Sequence, residues 1–505
     1  MSLARKAVRG AVWTILSSVG ARLLGVVGTL VLTHLIAPDI VGEVSVATVL
    51  VLSANQFSSF GFGQYVVANP KLSPAGVFQV ATLHLGFGLV GVIAVVLIAG
   101  PLAPLFDTPD IAEYVPGLAA SVLLNRMSVI PERVLIRDMK FGAASIARTL
   151  GEVTYVVTAV YLAWRGWGGE AIVAGNVTRS LVRTVIIMWA SDKRKWLHPS
   201  PLQREVVRGV FRFGTPLWLG SSASFFAGKW DNLVFAGLFG PHQLGLYTLG
   251  YNLADIPTSH VGEHIGDVLL PSFTRMDKAG QRRALVRSAA LLALIVFPLA
   301  IGLGAVADTL VASLFNEEWQ DVAIYLAILS ALSVARPVGW IIFSFLQACH
   351  RTRAAMVLEI GKLSAIIGSI AALSALGPYW AAGGVGLGFA AHALASLWLI
   401  QRTDGVPMAR MLGAMVGPLT ACVPMVGAVL AVRYGLGLSR ELPLVGLILE
   451  ITAGAAAYVT SCFFLARSAT RDFLGLLRQS FRRGARPDTA PPDAAPPATV
   501  PATSE

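Results

Sequence analysis

Eight ionisable residues placed inside long apolar runs are the ones whose types and spacing could do chemistry. Six are cationic (Arg22, Arg126, Arg179, Arg183, Lys229 and Arg336) and two acidic (Asp231 and Asp255). If the runs cross a bilayer, each such group costs ~2.5–3.5 kcal/mol on insertion scales and is by default a functional candidate. The cations outnumber the acids, which suits an anionic headgroup. Phosphate fits best, because guanidinium offers it bidentate geometry. A cationic drug suits such an interior poorly. Asp255 stands beside Pro257, where a proline frees backbone carbonyls, and is the candidate for proton or cation coupling together with Asp231. The spacing supports these roles. Ser18, Arg22, Gly25, Thr29 and Thr33 recur every three or four residues, as do Asn176, Arg179 and Arg183, and Tyr247, Tyr251, Asp255 and Thr258. On a helix each set forms one polar face, which must meet protein or water rather than lipid.

Structural readings stand beside these. Arg148 and Glu152 are an i,i+4 pair, and Glu359 and Lys362 an i,i+3 pair, able to neutralise each other on one helix. Arg183 and Lys229 could snorkel toward headgroups. Arg126 and Arg336 occupy equivalent places in an internal repeat, which equally suits a fold requirement such as capping broken backbone. Glu450 has no assigned role. Cys349, Cys422 and Cys462 sit in or beside apolar segments and read as small hydrophobes without metal spacing. No cofactor, metal site or catalytic residue is expected, since no phosphate-binding glycine loop, nucleophile elbow or HExxH occurs.

The elements that position these residues must be membrane helices. The 505 residues are 55% hydrophobic and 13% charged, about half the charge a soluble domain carries. Runs such as Ala11 to Ile36, Val77 to Phe106 and Leu442 to Ala466 each reach the ~20 residues that cross a hydrocarbon core. Fourteen spans are expected, near 11–36, 40–67, 77–105, 112–132, 142–164, 168–190, 210–238, 243–270, 284–310, 320–347, 354–376, 381–401, 410–434 and 442–467. The start MSLARKAVRG is a basic lead-in rather than a removable signal, because the apolar run behind it is too long and lacks a cleavage site.

Basic residues fall on alternate connections. Arg5, Lys6 and Arg9, then Arg133 to Arg148, Lys193 to Arg212, Arg275 to Arg287, Arg351 and Arg353, and Arg402 and Arg410 alternate with acidic loops at Asp39 and Glu43, Asp107 to Glu113, and Glu317 to Asp321. Only Arg165, Arg433 and Arg440 oppose the pattern. The positive-inside rule therefore puts both termini in the cytoplasm. The net charge of +11 orients the chain against anionic lipid and needs no nucleic-acid partner. Residues 468–485 read as a basic amphipathic segment, and the Pro/Ala/Thr-rich residues 486–505 as a disordered tail.

The chain also repeats itself. LIAPDIVG at Leu35 to Gly42 recurs as LFGPHQLG at Leu238 to Gly245, 203 residues on; Leu105-Phe106-Asp107 recurs as Leu314-Phe315-Asn316, Arg126 as Arg336 and Gly151 as Gly361. Six spans per repeat give both halves one orientation, hence lobes related by a pseudo-two-fold along the membrane normal, with cargo between them. The expected division is a lead-in at 1–10, an N-lobe at 11–190, a cytoplasmic linker at 191–209, a C-lobe at 210–401 and two additional spans at 402–467.

Several segments carry a resemblance: ERVLIRDMKF (Glu132 to Phe141), AVYLAWRGWGGEAIV (Ala159 to Val173), KWDNLVFAGLFGPHQLGLYTLGYNL (Lys229 to Leu253), VLLPSFTRM (Val268 to Met276) and LVASLFNEEWQDVAIYLAIL (Leu310 to Leu329). Their order and spacing over roughly residues 5 to 470 resemble the polysaccharide-transporter family of the multidrug/oligosaccharidyl-lipid/polysaccharide exporter superfamily. The resemblance implies a bacterial inner-membrane flippase moving undecaprenyl-pyrophosphate-linked oligosaccharide to the periplasmic leaflet through a cationic, ion-coupled cavity, with polysaccharide polymerase and export machinery as partners. By the same resemblance Arg22 falls where relatives place cavity cations, and Asp231 matches an acidic residue before the turn.

Three other readings compete. A drug/cation antiporter of the same superfamily should carry more acid than base in its cavity. A membrane-embedded polysaccharide polymerase or ligase needs reactive groups on a sizeable outer loop, and the longest outer connections are short and lack His. A scaffold for an export complex is the third, for which the basic tail could serve.

Overall fold

The computed structural model describes residues 20–21, 24–138, 140–274, 276–349, 351–437 and 442–484, with the backbone alone described at 257–272, 274, 352, 436 and 476–484. Among the described residues all extended regular structure is helical and no strand occurs. The first half contains α1 (24–32), α2 (Pro38–Phe57), α3 (Phe62–Ala68), α4 (Pro74–Phe106), α5 (Ile111–Arg137), α6 (Phe141–Trp164) and α7 (Gly169–Ala190). The second contains α8 (Arg204–Ala227), α9 (Trp230–Thr274), α10 (Lys278–Ala305), α11 (Ala307–Leu314), α12 (Val322–Leu332), α13 (Arg336–Ala348), α14 (Thr352–Leu373) and α15 (Pro378–Asp404). The chain then forms α16 (Met408–Leu436), α17 (Pro443–Leu465) and α18 (Arg467–Gly484).

Local sequence explains where these helices start. Pro38, Pro74, Pro378 and Pro443 stand in the first turn, where the missing N–H costs nothing. The Ser73 and Asp277 side chains accept the backbone N–H groups of Gly76 and Gly280 at 3.1 and 3.0 Å. Among the described residues nine helices are long and apolar enough to cross a membrane. Helices α5, α6, α8 and α9 have the length but fall outside that set; they carry interior charges or a basic first turn, such as Arg126 on α5, Arg148 and Glu152 on α6, and Arg204 and Arg208 on α8. Of the expected first span, residues 11–19 and 22–23 lie outside the described residues.

The duplicated octapeptides meet each other. Gly42 on α2 sits so close to Pro241 that a Cβ there would lie 1.8 Å from the Pro241 carbonyl oxygen. Gly245 on α9 makes the mirrored contact, its would-be Cβ 2.0 Å from the Pro38 carbonyl oxygen. Asp39 Oδ1 and His242 Nδ1, also repeat equivalents, pair with each other across the same point. A contact in which i meets j′ and j meets i′ is the signature of a two-fold axis. The backbone of α9 turns at Gly240 with φ 75°, a value that favours glycine, and so delivers Pro241 to the crossing. Around it Phe106, Ile111, Phe235, Tyr247, Trp319 and Tyr325 build a core shared by both halves, and Trp319 Nε1 donates to the Ile36 carbonyl at 3.3 Å.

A second inter-half contact lies toward the other end of α2. That helix breaks after Ser58, with φ values of 29° at Phe60 and 64° at Gly61. The break packs on Gly214 of α8, whose Cβ would lie 1.9 Å from the Phe60 carbonyl oxygen. Trp218 Nε1 donates to the Gln56 carbonyl at 2.8 Å. The connection between the halves is itself held to the first: Lys195 pairs with Asp138 at 2.6 Å, and the Gln203 N–H donates to Gln79 at 3.0 Å.

Helices α16 and α17 dock beside α10 and α11 through a charge cluster that runs from the buried Glu450 to the exposed Asp308. Arg433 reaches Glu450 at 3.1 Å, Asp308 at 3.0 Å and the Ala305 carbonyl at 2.6 Å. Glu450, fully buried, also accepts from Thr309 Oγ1 at 2.8 Å. Arg433 opposes the loop-charge pattern because it is neutralised within the protein. On α18, Arg287 of α10 pairs with Asp472 at 2.9 Å, and Phe473 packs on the second-half core.

Candidate functional site: a cavity in each lobe and one between them

A first cavity of about 310 Å³ belongs to the N-lobe. Helix α6 presents Arg148 and Glu152 to it, and α7 presents Asn176, Arg179 and Arg183, spacings of three, four and seven that keep each set on one helical face. The two helices approach closely at Gly151, where a Cβ would lie 3.2 Å from the Arg179 carbonyl oxygen. Glu152 pairs with Arg179 across the helices at 3.4 Å rather than with Arg148 one turn away. Arg179 also donates to Asn176 and stands 4.8 Å over the Tyr155 ring. Arg183 is held by Glu132 of α5 at 2.7 Å. Arg148 faces the cavity with no hydrogen bond or ion pair among the described residues.

The C-lobe cavity, about 270 Å³, is balanced in charge. Arg336 pairs with Asp255 and is sandwiched by the Tyr251 and Phe389 rings, at 4.9 and 4.4 Å. Lys362 pairs with Glu359 at 2.5 Å, as its i,i+3 spacing predicts, and Glu359 also accepts from Ser224 at 3.2 Å. His392 lines the same space, with Nδ1 3.2 Å from the Leu358 carbonyl.

The third cavity, about 290 Å³, lies between α2 and α9 beside the crossing, is called axial below because equivalent positions of both repeats line it, and shares lining residues with the other two. Thr48, Leu52 and Asn176 line it and the N-lobe cavity; Tyr251 lines it and the C-lobe cavity. Among the described residues its charged lining side chain is Lys229.

The expected site residues thus separate. Arg179, Arg183, Lys229, Arg336 and Asp255 line these cavities. Arg126 is buried and its guanidinium spans the α2 break, donating to the Asn55 carbonyl at 2.7 Å, Asn55 Oδ1 at 2.8 Å, Ser58 Oγ at 2.5 Å, the His84 carbonyl at 2.9 Å and the Ser58 carbonyl at 3.4 Å. Gly88 of α4 makes room for it: a Cβ there would lie 2.4 Å from Arg126 Cδ. Asp231 is buried, accepts from Tyr247 at 2.7 Å through Oδ2, and has no hydrogen-bond partner at Oδ1 among the described residues. Arg22 lies outside the described residues, as does the Thr258 side chain. Arg148 is the cavity residue that helical spacing misassigned: its i,i+4 acid suggested a neutralised pair, while the acid's nearer partner comes from another helix. Among the described residues no group of three His, Cys, Asp or Glu side chains is gathered as a metal site needs.

The chain is thus helical, with two lobes meeting on a two-fold crossing, a polar cavity in each lobe and a third between them, and nine helices among the described residues long and apolar enough to cross a membrane. The fold is similar to that of the lipid II flippase MurJ in an inward closed conformation, with TM-score 0.71 and 13% identity over 90% of this chain and 99% of that one. It is also similar to an inward-facing multidrug resistance MATE family transporter, with TM-score 0.63 and 16% identity over 76% of this chain and 95% of that one. The model of a family described as "Polysaccharide biosynthesis protein" matches residues 31–324, more than half of the chain, and the chain belongs to that family. Among its relatives is the lipopolysaccharide biosynthesis protein WzxC of Escherichia coli (strain K12), 25% identical over 73% of this chain and 75% of that protein. The succinoglycan biosynthesis transport protein ExoT of Rhizobium meliloti (strain 1021) is 25% identical over 63% and 64%.

Proposed function

We propose that this protein is a flippase. It moves undecaprenyl-pyrophosphate-linked oligosaccharide repeat units from the cytoplasmic to the periplasmic leaflet of a bacterial inner membrane, for exopolysaccharide, capsule or O-antigen assembly. The observation that carries this reading is the N-lobe cavity, where Arg148, Arg179 and Arg183 share one space; Glu152 holds Arg179 and Glu132 holds Arg183, which leaves Arg148 without a counter-charge among the described residues. Cations held together at that density are stabilised by an anion, and a pyrophosphate presents several oxygens to guanidinium forks. An acidic cavity would suit a cationic drug; this one has the opposite sign. Relatives named for lipopolysaccharide biosynthesis and for succinoglycan transport support a saccharide cargo rather than an enzymatic role.

Transport proceeds by alternating access, the crossing of Pro38–Gly42 with Pro241–Gly245 closing one side of the cavities. Loop charge supports cytoplasmic termini, which makes the crossing the periplasmic closure. Asp231 and Asp255 are the coupling residues: Asp231 is buried with one oxygen unpartnered among the described residues, and Asp255 sits on Arg336, so protonating or coordinating either alters a charge pair inside the C-lobe. Polymerase and export proteins receive the product. The test is binding of undecaprenyl pyrophosphate to the purified protein in nanodiscs. Wild type binds it, and Arg148→Ala with Arg179→Ala abolishes binding while the protein stays folded; undiminished binding by the double variant refutes the cationic site.

A further inference from the structure

The axial cavity differs in chemistry from its two neighbours. Both repeats build it with equivalent positions: Ser45 and Thr48 from α2, Thr248 and Tyr251 from α9, each pair 203 residues apart. Asn232, Asn252 and Asn176 add carboxamides, and Tyr155 and Tyr251 add ring faces. Much of this polarity is uncommitted. Thr48 Oγ1, the Asn252 carboxamide and Lys229 Nζ have no hydrogen-bond partner among the described residues. Asn232 is more weakly held, accepting from Thr248 at 3.4 Å and donating to the Lys229 carbonyl at 3.3 Å.

Hydroxyls and carboxamides both donate and accept, whereas an ammonium or guanidinium only donates. A wall of the first kind matches a ligand whose own groups do both, and a polyol is that ligand. Aromatic faces complete the match, since a pyranose ring has one apolar C–H face to lay on them. Among the described residues phosphate is better served next door, by three arginines against Lys229 here. A hydrocarbon chain would leave the carboxamides unpaired.

We propose that the axial cavity is the saccharide subsite, with Thr48, Asn232, Thr248 and Asn252 as the residues that recognise sugar hydroxyls. This rests on the flippase reading above and gives the cargo a direction. The pyrophosphate lies among the N-lobe arginines, and Thr48 and Asn176, shared by both cavities, mark where it joins the sugar. The saccharide points at the crossing, so it is the part released first when the crossing opens.

The test compares two ligands on protein in nanodiscs: undecaprenyl pyrophosphate alone, and the same lipid carrying the repeat unit extracted from the producing cells. Wild type is expected to bind the glycosylated lipid about tenfold more tightly, the gain of a few modest hydrogen bonds. Thr248→Val with Asn252→Ala, neither of which lines the N-lobe cavity, is expected to remove that gain and leave affinity for the sugar-free lipid unchanged. Thr248→Val alone, which keeps the side-chain shape, is expected to remove part of it, and binding of the sugar-free lipid certifies that either variant is folded. A full gain retained by the double variant, or no gain in wild type, overturns the saccharide subsite. Failure of wild type to bind the sugar-free lipid overturns the flippase reading instead.

Discussion

Gly42→Ala perturbs the crossing at one atom, and the structure says how much. The added Cβ would lie 1.8 Å from the Pro241 carbonyl oxygen, and the mirrored change at Gly245 would put one 2.0 Å from that of Pro38. Both obstacles are backbone, so no rotamer change relieves them, and the two helices must part by about 1–2 Å to restore ordinary contact near ~3.5 Å. Overpacking of this kind costs about 1–3 kcal/mol, a factor of roughly 5–150 against the crossed state. The same contact bears both substitutions, so one separation relieves both, and the double variant should cost less than the sum. The assay is disulfide trapping between Asp39→Cys and His242→Cys, which replace the paired side chains at the crossing, in a background without Cys349, Cys422 and Cys462. Crosslinking per folded molecule should slow about tenfold in either glycine variant. Gly220→Ala, whose Cβ would meet nothing within 4 Å, should leave it unchanged. An unchanged rate in Gly42→Ala, measured on folded protein, would refute the idea that transport opens this contact.

Three further outcomes follow from named contacts. Arg148→Ala should leave stability within ~0.5 kcal/mol, because the side chain has no partner among the described residues to lose, yet lower undecaprenyl-pyrophosphate affinity tenfold or more, the worth of about one charged hydrogen bond. Arg126→Ala takes the only donor from Asn55 Oδ1 and the Ser58 carbonyl among the described residues, at ~1–3 kcal/mol each, and empties the space the guanidinium fills, so folded yield after detergent extraction should fall sharply; Arg126→Lys should rescue it only partly, since an ammonium cannot span five acceptors. Glu450→Ala leaves Arg433 beside a vacated buried carboxylate and should cost about 3–5 kcal/mol in thermal unfolding, much of it recovered by Arg433→Met with Glu450→Leu.

Much of this architecture is readable from the chain because hydrophobic length and loop charge are local quantities. The apolar stretches that become α4, α10 and α17 announce themselves within ~20 residues. The octapeptides at Leu35 and Leu238 were visible as a repeat, though only the fold shows that the two copies touch. The site was less legible because its charges are settled between helices. Spacing pairs Arg148 with Glu152, yet Glu152 sits nearer to Arg179, 27 residues on. Arg126 and Arg336 hold equivalent places but differ in surroundings: one is caged by Asn55, Ser58 and His84, the other is sandwiched between Tyr251 and Phe389 over Asp255. Glu450 and the exceptional Arg433 explain each other only once α16 and α17 lie side by side.

The most direct test of the central claim is leaflet-resolved labelling of lipid-linked repeat units in cells deleted for this protein and lacking any redundant flippase. The account predicts that the units accumulate in the cytoplasmic leaflet and that wild-type protein, but not the Arg148→Ala/Arg179→Ala variant, restores their appearance outside. Normal delivery to the periplasmic leaflet in the deleted cells would contradict it.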